Sequence, residues 1–269
     1  MDKACVGAEK EIKSLAGTMG EGSYGLVLLS GLLCDERLWA AQAKGLAGSA
    51  HVLIPDLTPY ESIESMADGV LGQAPDGFSL AGFSMGGCVA LEIVARAPVR
   101  VRRLALLSAS TKGILPAVRK HYLDSIASIE AGGFDAYLAG AFPLYVAPDR
   151  AWDRELRDTF EGMAKRLGPA VAVRQMHSLL GYRGFSGDLG RIACPTMLIC
   201  GREDRRTPVA VHEEMAGRIP GSRLRVLEGA GHFTPIEKPQ AVTDALLEWL
   251  RAPEGGVITG SGEEGRQGQ

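Results

Sequence analysis

The sequence predicts an α/β fold, in which helices cover a mostly parallel, doubly wound sheet that carries a long all-helical insertion. Strand-like apolar runs alternate with helical patterns over most of the chain, the arrangement that builds parallel sheets. Between residues 112 and 191 this alternation stops, and only helical patterns remain. With 269 residues and a hydrophobic content of 46%, the chain can bury the core that such a sheet requires.

Four strands are expected before the insertion. Apolar runs with the strand pattern lie at 24–31, 51–55, 78–83 and 103–110. Helical patterns follow the first two runs near 36–46 and 63–73, and a third helix is expected to follow the run at 78–83 directly. This third helix must stop by Pro98, because proline cannot continue a helix.

The insertion and the segments after it complete the predicted organisation. Gly132-Gly133, Ala147-Pro148 and Gly168-Pro169 divide the insertion into several helices. Strands at 196–201 and 222–229 resume the alternation, with helices near Pro208 and over 239–250. The predicted domains are a flexible segment at 1–22, a core of 23–111 and 192–251, a helical insertion at 112–191 and a disordered, glycine-rich polar tail at 252–269.

Charge and composition argue against several kinds of partner. The formal net charge of −3 offers no basic excess for nucleic acid or an anionic membrane surface. No apolar run is long enough to span a bilayer, and residues 1–22 lack the apolar core of a secretory signal. Five cysteines without a CxxC spacing argue against disulfides and zinc. We therefore expect a cytoplasmic protein that acts on a small molecule without metal or cofactor, with a homodimer as one option for its assembly.

The stretch GFSMG places Ser84 on a sharp corner between a strand and a helix. Such a corner strains the backbone of the serine and leaves room only for small neighbours, here Gly82 and Gly86. The serine hydroxyl then lies above the carboxyl ends of the strands, where open α/β sheets bind their ligands. The pattern is that of a nucleophile elbow, and it predicts a nucleophilic role for Ser84.

A serine nucleophile needs a base and an acid, and two later loops offer them. His232 lies in the glycine-flanked loop GAGHF directly after a predicted strand, whereas the other histidines, His51, His121, His177 and His212, lie in strand or helical patterns. The loop GREDRRTP, after the strand at 196–201, offers the carboxylates of Glu203 and Asp204. It is expected to end with Thr207 capping a helix whose first residue is Pro208. The order of serine, acid and histidine agrees with the elbow motif.

From residue 24 to residue 250 the sequence resembles the α/β-hydrolase family. GFSMGG, GREDRRTP and GAGHF are similar to the family's nucleophile, acid and histidine motifs, and LSGLLCDERLW resembles the start of small bacterial serine esterases and enol-lactonases that carry a helical cap. The resemblance implies that Ser84 is the nucleophile, Asp204 the acid and His232 the base.

The resemblance also implies an oxyanion hole formed by two backbone N–H groups, those of Leu32 and Met85. The family often has His-Gly at the end of the first strand, where this chain has Ser30-Gly31. This departure leaves open how the loop is held and which substrate it admits.

The function expected from these motifs is hydrolysis of a carboxylic ester, lactone or thioester through an acyl-enzyme. Apolar residues next to the motifs and aromatic residues of the insertion predict a small, largely apolar substrate. The tentative contact residues are Leu33, Phe83, Tyr145 and Phe233. Cations of the insertion that could bind a carboxylate are more simply explained by solvated helix faces; they are Arg119, Lys120, Arg174 and Arg183.

Two alternatives are open. A C–C bond hydrolase or a lyase could use the same serine, histidine and acid, but it would need fixed cations facing Ser84, and the flanking residues Phe83, Met85 and Phe233 are apolar. A binding protein that keeps the fold as a receptor is disfavoured because all three motifs are intact.

Overall fold

Six parallel strands form the centre of the computed structural model, which describes residues 24–253. The strands are β1 (Tyr24–Leu29), β2 (Ala50–Leu53), β3 (Phe78–Phe83), β4 (Val101–Leu107), β5 (Thr196–Gly201) and β6 (Arg223–Leu227). Their order in the sheet is β2-β1-β3-β4-β5-β6, and each neighbouring pair is parallel. β3 and β5 are buried at every position, as strands covered on both faces must be. The predicted α/β fold class is confirmed.

The strand order reverses beside β1, and this reversal fixes where a ligand can bind. The chain passes outward from β1 to β2, crosses back to β3 on the other side of β1, and then continues to β6. Ligands of open α/β sheets bind beyond the carboxyl ends of the strands near such a reversal. Here the last residue of β1, Leu29, pairs with Gly82, two residues before Ser84.

Helices connect the strands and flank the sheet. They are α1 (Ala40–Leu46), α2 (Ile63–Gln73), α3 (Met85–Arg96), α4 (Pro116–Glu130), α5 (Phe134–Tyr145), α6 (Arg154–Leu167), α7 (Pro169–Gly181), α8 (Val209–Arg218), α9 (Thr234–Glu237) and α10 (Pro239–Arg251). α1 packs against α10, and α2 packs against α3. Right-handed crossovers between parallel strands assign these two pairs to opposite faces of the sheet.

Four consecutive helices, α4 to α7, form the predicted helical insertion, which we call the roof. Its helices end where the glycine and proline pairs predict: Gly132 and Gly168 adopt positive φ angles of 90° and 83° that favour glycine. α4 packs against α7, so the first and last helices of the roof meet. An antiparallel bridge between Lys112 and Gly184 joins the two ends of the segment. The boundaries of the roof as a separate domain stay a prediction.

Some local expectations need correction. The helix predicted near 36–46 begins as a 3-10 turn over Glu36–Trp39. α8 begins at Val209 with Pro208 as its N-cap residue, so the predicted cap at Thr207 is wrong. The Thr207 hydroxyl instead donates to Asp204 Oδ2, at 2.7 Å. The short α9 is too brief for its periodicity to be visible in the sequence.

The ends of the chain are only partly described. The flexible segment predicted at 1–22 lies outside the described residues, and of the tail predicted at 252–269 only Ala252 and Pro253 are described. Within residues 24–253, no helix combines the length and the apolar character needed to cross a membrane.

Candidate active site

Ser84 occupies the corner between β3 and α3 in a strained conformation. Its φ angle is 52° and its ψ angle is −115°, a region that non-glycine residues rarely adopt. Both flanking glycines are required by close backbone contacts. A Cβ atom at Gly82 would lie 2.3 Å from the carbonyl oxygen of Gly86, and one at Gly86 would lie 2.3 Å from that of Leu29. The corner therefore presents the serine side chain at the end of the strand, as the sequence predicts.

His232 lies between the serine and an aspartate. Its Nε2 atom is 2.9 Å from Ser84 Oγ, and its Nδ1 atom is 2.9 Å from Asp204 Oδ2. The side chains of His232 and Asp204 are almost completely buried, with exposed fractions of 1% and 0%. The loop after β6 thus brings the three predicted residues into one continuous hydrogen-bonded chain.

Asp204 is held by a dense set of donors. Its Oδ1 atom accepts from the backbone N–H groups of Arg206 at 2.8 Å and Thr207 at 2.9 Å, while Oδ2 accepts from the Thr207 hydroxyl. Burial alone would raise the pKa of this carboxyl, but the charge and hydrogen bond of His232 and the Thr207 donors outweigh it and hold the pKa well below its usual range. The carboxylate is therefore ionised at neutral pH.

The second candidate acid, Glu203, takes a different position. Its Oε2 atom accepts a hydrogen bond of 3.0 Å from the backbone N–H of Ala230. This contact braces the loop that precedes His232. Of the two carboxylates, Asp204 is the one hydrogen-bonded to the imidazole.

The two predicted oxyanion-hole donors lie in the loop after β1 and directly after Ser84 in the chain. A Cβ atom at Gly31 would lie 3.3 Å from Ser84 Cβ, so the loop after β1 lies directly against the serine. Among the described residues, the backbone N–H groups of Leu32 and Met85 have no acceptor. The next residue, Leu33, has a positive φ angle of 56° and donates its N–H to Gln175 Oε1 at 2.8 Å.

Gln175 is a residue that sequence reasoning missed. It lies on α7 and its exposed fraction is 1%, so its contact with Leu33 is shielded from water. Since Leu33 follows Leu32, this one bond fixes the loop that carries a candidate oxyanion donor. In the sequence, the signal for this role was a polar glutamine among the apolar residues of a predicted helix.

The predicted apolar contact residues surround the imidazole. The ring centroids of Phe83 and Tyr145 lie 5.3 and 5.5 Å from that of His232, and the Phe233 ring packs against both. These residues and Leu33 are buried. The backbone carbonyl of Tyr145 also accepts from the N–H groups of His232 and Phe233, at 2.8 and 2.9 Å. The aromatic residues thus pack the histidine in place, and their contact with a substrate stays a prediction.

A cavity of about 640 Å³ lies next to Gly31, in the loop after β1, and neither Ser84 nor His232 lines it. Its walls come from the loop after β1, the segment 52–58 and the roof helices α6 and α7, and they include Gly31, Cys34 and Gln175. Ser30, at the position where the family often has histidine, also lines it. The cavity reaches Gly31, which contacts Ser84, so it can hold part of a molecule whose reacting group lies at the serine.

An ion-pair cluster closes one edge of the site. The buried carboxylate of Asp35 contacts Arg37 at 2.6 Å and Arg166 at 2.9 Å, and Arg166 also pairs with Glu36. Arg166 belongs to α6, so these contacts tie the roof to the loop after β1.

Arg206 is a second residue that sequence reasoning missed. Its Cζ atom lies 4.5 Å from the centroid of the Tyr145 ring, and its Nη2 atom donates to the Tyr122 hydroxyl at 3.0 Å. One aromatic ring therefore separates a guanidinium from His232. The immediate surroundings are apolar, as the sequence predicts, but a cation lies just beyond them on this side of the site. The sequence could not reveal the contact, because it depends on how the roof helices pack.

Among the described residues, neither the other histidines nor the four roof cations form a hydrogen bond to Ser84, Asp204 or His232. His212 is buried and accepts from the backbone N–H of Ala109 at 3.2 Å, and burial lowers its pKa to about 4. Three of the cations have acceptors elsewhere: Arg119 donates to Leu180 O, Lys120 to the Asp124 carboxylate and Arg174 to Thr58 O. The described residues contain no cluster of three or more histidine, cysteine or acidic side chains that could hold a metal ion.

Comparison with known proteins identifies relatives that span most of the chain. A methyl ester esterase acting on pimeloyl-[acyl-carrier protein], from Aromatoleum aromaticum, is 28% identical over 234 residues, which cover 80% of this chain and 93% of that protein. A presumed carbamate hydrolase, RutD, from Agrobacterium fabrum is 28% identical over 244 residues, covering 84% and 92%. The solved structure of a thermophilic esterase from Thermogutta terrifontis superposes with a TM-score of 0.78 at 26% identity, covering 85% of this chain and 90% of that chain.

These relatives are named as hydrolases and esterases, so the protein is an enzyme of the hydrolase type. The family model described as alpha/beta hydrolase family matches residues 26–245, most of the chain. The chain therefore belongs to the alpha/beta hydrolase family.

Proposed function

We propose that this enzyme hydrolyses a carboxylic ester, or a related lactone or thioester, through an acyl-enzyme formed on Ser84. The observation that carries the proposal is the unbroken chain of hydrogen bonds from Asp204 through His232 to Ser84, with both contacts of the imidazole at 2.9 Å. A serine hydroxyl becomes nucleophilic when a neighbouring base takes its proton and a carboxylate orients that base.

In the first step, Ser84 Oγ attacks the carbonyl carbon while its proton passes to His232 Nε2. The Asp204 carboxylate stabilises the resulting imidazolium through Nδ1. Negative charge develops on the former carbonyl oxygen, and the N–H groups of Leu32 and Met85 stabilise it. The tetrahedral intermediate then collapses: the bond to the leaving oxygen or sulfur breaks, and His232 gives that atom its proton.

In the second step, water replaces the leaving group. His232 Nε2 takes a proton from water as the oxygen attacks the acyl carbon, the same two N–H groups stabilise the second oxyanion, and the ester bond to Ser84 breaks. Ser84 regains the proton and the acid is released. These steps need no redox partner and no metal.

The relatives support the reaction class. The protein from Aromatoleum aromaticum is named for hydrolysis of a methyl ester, and the solved structure from Thermogutta terrifontis is that of an esterase. In both cases an acyl group is transferred to water, which is the reaction proposed here.

The cavity beside Gly31 supports a small substrate, with apolar walls such as Leu53, Ile54 and Leu57 for an acyl or alcohol part and charged residues at Asp35, Asp56 and Arg166. Its volume of about 640 Å³ suits a small organic molecule.

Each methylene of an acyl chain that becomes buried contributes up to about 0.8 kcal/mol, or roughly fourfold in kcat/KM. We expect kcat/KM for p-nitrophenyl esters to rise from acetate to butyrate, measured as release of p-nitrophenolate. A flat series would show that the acyl chain does not enter an apolar pocket.

A C–C bond hydrolase or lyase is the second candidate, and Arg206 is the observation that favours it. Such enzymes need a fixed cation near the serine, and this guanidinium lies one ring from His232. A vinylogous diketone acid assayed with the same preparation distinguishes the two reactions. Turnover of that acid without cleavage of any ester would favour the second candidate.

A further inference from the structure

Arg206 lies where the loop after β5 meets the roof. Its guanidinium stacks on the Tyr145 ring of α5 and donates to the Tyr122 hydroxyl of α4. The hydroxyl of Tyr137, also on α5, is close enough to interact with it electrostatically. Three tyrosines from two roof helices therefore surround one cation.

Among residues 24–253, no carboxylate lies within ion-pairing distance of this cation, and Asp204 attracts it only at longer range. Asp204 is bonded to the backbone N–H of Arg206, and no side-chain ion pair of 4.0 Å or less joins the two residues. The roof arginine Arg166 is different, since it pairs with Asp35 and Glu36. The guanidinium therefore has no direct ion pair of its own, and a bound anion can form one with it.

The surrounding tyrosines cannot supply that anion. Burial raises the pKa of Tyr145 to about 12, so its hydroxyl is neutral at physiological pH. Tyr122 acts as a hydrogen-bond acceptor for the guanidinium and occupies one of its five N–H groups. The remaining N–H groups have no acceptor in the described part of the chain and can bind a planar carboxylate through two parallel hydrogen bonds.

The position of the cluster relates it to the reacting atoms. The Tyr145 ring contacts the guanidinium and, at 5.5 Å between centroids, the His232 ring. Its backbone carbonyl also anchors the His232 loop. Because Tyr145 contacts both Arg206 and the His232 loop, an anion bound by Arg206 would lie at a fixed distance from Ser84 and His232.

We propose that Arg206, with Tyr122 and Tyr137 beside it, binds a carboxylate of the substrate, so that the natural substrate class is a carboxylic ester that bears a second, free carboxylate. The proposal rests on the proposed ester hydrolysis and adds the identity of the distal group. An apolar chain between the ester group and the free carboxylate fits the aromatic residues around His232. The carboxylate would then lie at the far end of the substrate, against Arg206.

The test compares matched pairs of esters. Monomethyl esters of glutaric, adipic and pimelic acid carry the carboxylate on the acyl part, and methyl esters of monocarboxylic acids of equal length are their neutral counterparts. Butyryl glycolate and ethyl butyrate form the corresponding pair for the alcohol part. The readout is the ratio of kcat/KM for the acidic ester to that for its neutral counterpart.

Arg206→Gln should lower this ratio by roughly 10- to 100-fold for the best acidic ester, mainly through KM, because a charged hydrogen-bond partner is lost. Arg206→Lys should retain part of the preference. The matched control is Arg205→Gln: the neighbouring arginine is exposed and donates to the Pro143 carbonyl, and its loss should leave the ratio unchanged.

A wild-type measurement makes the test independent of whether the variants fold. Free glutarate should inhibit neutral ester hydrolysis competitively, and glutaramide, which is neutral, should not. A wild-type ratio near one, a ratio insensitive to Arg206→Gln, or no inhibition by glutarate would each overturn the carboxylate proposal while ester hydrolysis stands. Failure to cleave any ester, together with no fluorophosphonate labelling of Ser84, would instead overturn the proposed function and this inference with it.

Discussion

The strand-end loops and the roof contribute to the site in different ways. The loops after β3, β5 and β6 supply Ser84, Asp204 and His232, each held by several short hydrogen bonds or by close backbone packing. The roof reaches the site through Tyr145, which contacts the His232 loop, and through Gln175 and Arg166, which contact the loop after β1. In the proposed reaction the strand-end loops supply the reacting groups, and the roof contacts the loops that carry them. Substitutions in the two regions should differ in size and in which kinetic constant they change.

The largest effect should come from Asp204. Asp204→Asn removes the charge that stabilises the imidazolium and can reverse the tautomer of His232, so kcat should fall by about 10,000-fold. Steady-state kinetics with a p-nitrophenyl ester measures this. The matched control is Glu203→Gln, which keeps an acceptor for the Ala230 N–H and should change kcat only a few-fold. A larger loss in the control than in Asp204→Asn would assign the acid to Glu203.

The second effect is on the free energy of unfolding, and it comes from the buried His212 on α8. His212 has a pKa of about 4 when folded and about 6.5 when unfolded, because burial penalises the imidazolium. Between these values the unfolded chain binds more protons, so the free energy of unfolding should decrease as pH falls from 6.5 to 4, by about 3 kcal/mol. Urea denaturation at several pH values measures the slope.

His212→Gln should flatten this slope while keeping an acceptor for the Ala109 N–H. His177→Gln, a change at an exposed position of the roof, should leave the slope as in the wild type. Equal slopes in the two variants would mean that other groups control the acid sensitivity.

A smaller effect is expected from Gln175 in the roof. Gln175→Leu frees the Leu33 N–H, loosens the loop that carries the Leu32 donor, and should lower kcat by roughly tenfold with little change in KM. Affinity for a trifluoromethyl ketone, whose adduct carries an oxyanion, should fall in parallel. The exposed Gln73→Leu serves as the control. A change confined to KM would place Gln175 in substrate contact and not in positioning of the loop.

The same contrast explains what the sequence could and could not predict. Ser84, His232 and the loop of Glu203 and Asp204 follow strand ends, and parallel strands bring such ends to one edge, so their meeting follows from order and spacing. The choice of Asp204 over Glu203 needed the family resemblance. Gln175 and Arg206 act across elements that are distant in the sequence, and only the packing of the roof brings them to the site. Thr207 shows that a prediction can also fail within a single loop. A threonine before a helix is typical of an N-cap, but here its hydroxyl donates to the Asp204 carboxylate.

The central claim is that Ser84 is the nucleophile of an acyl-transfer reaction, and labelling with a fluorophosphonate tests it most directly. Wild-type protein should gain one phosphonyl group, located at Ser84 by mass spectrometry of peptides, and lose ester hydrolysis in proportion. Ser84→Ala should remain folded, take up no label and show no hydrolysis above background. Full activity or undiminished labelling in Ser84→Ala would contradict the claim.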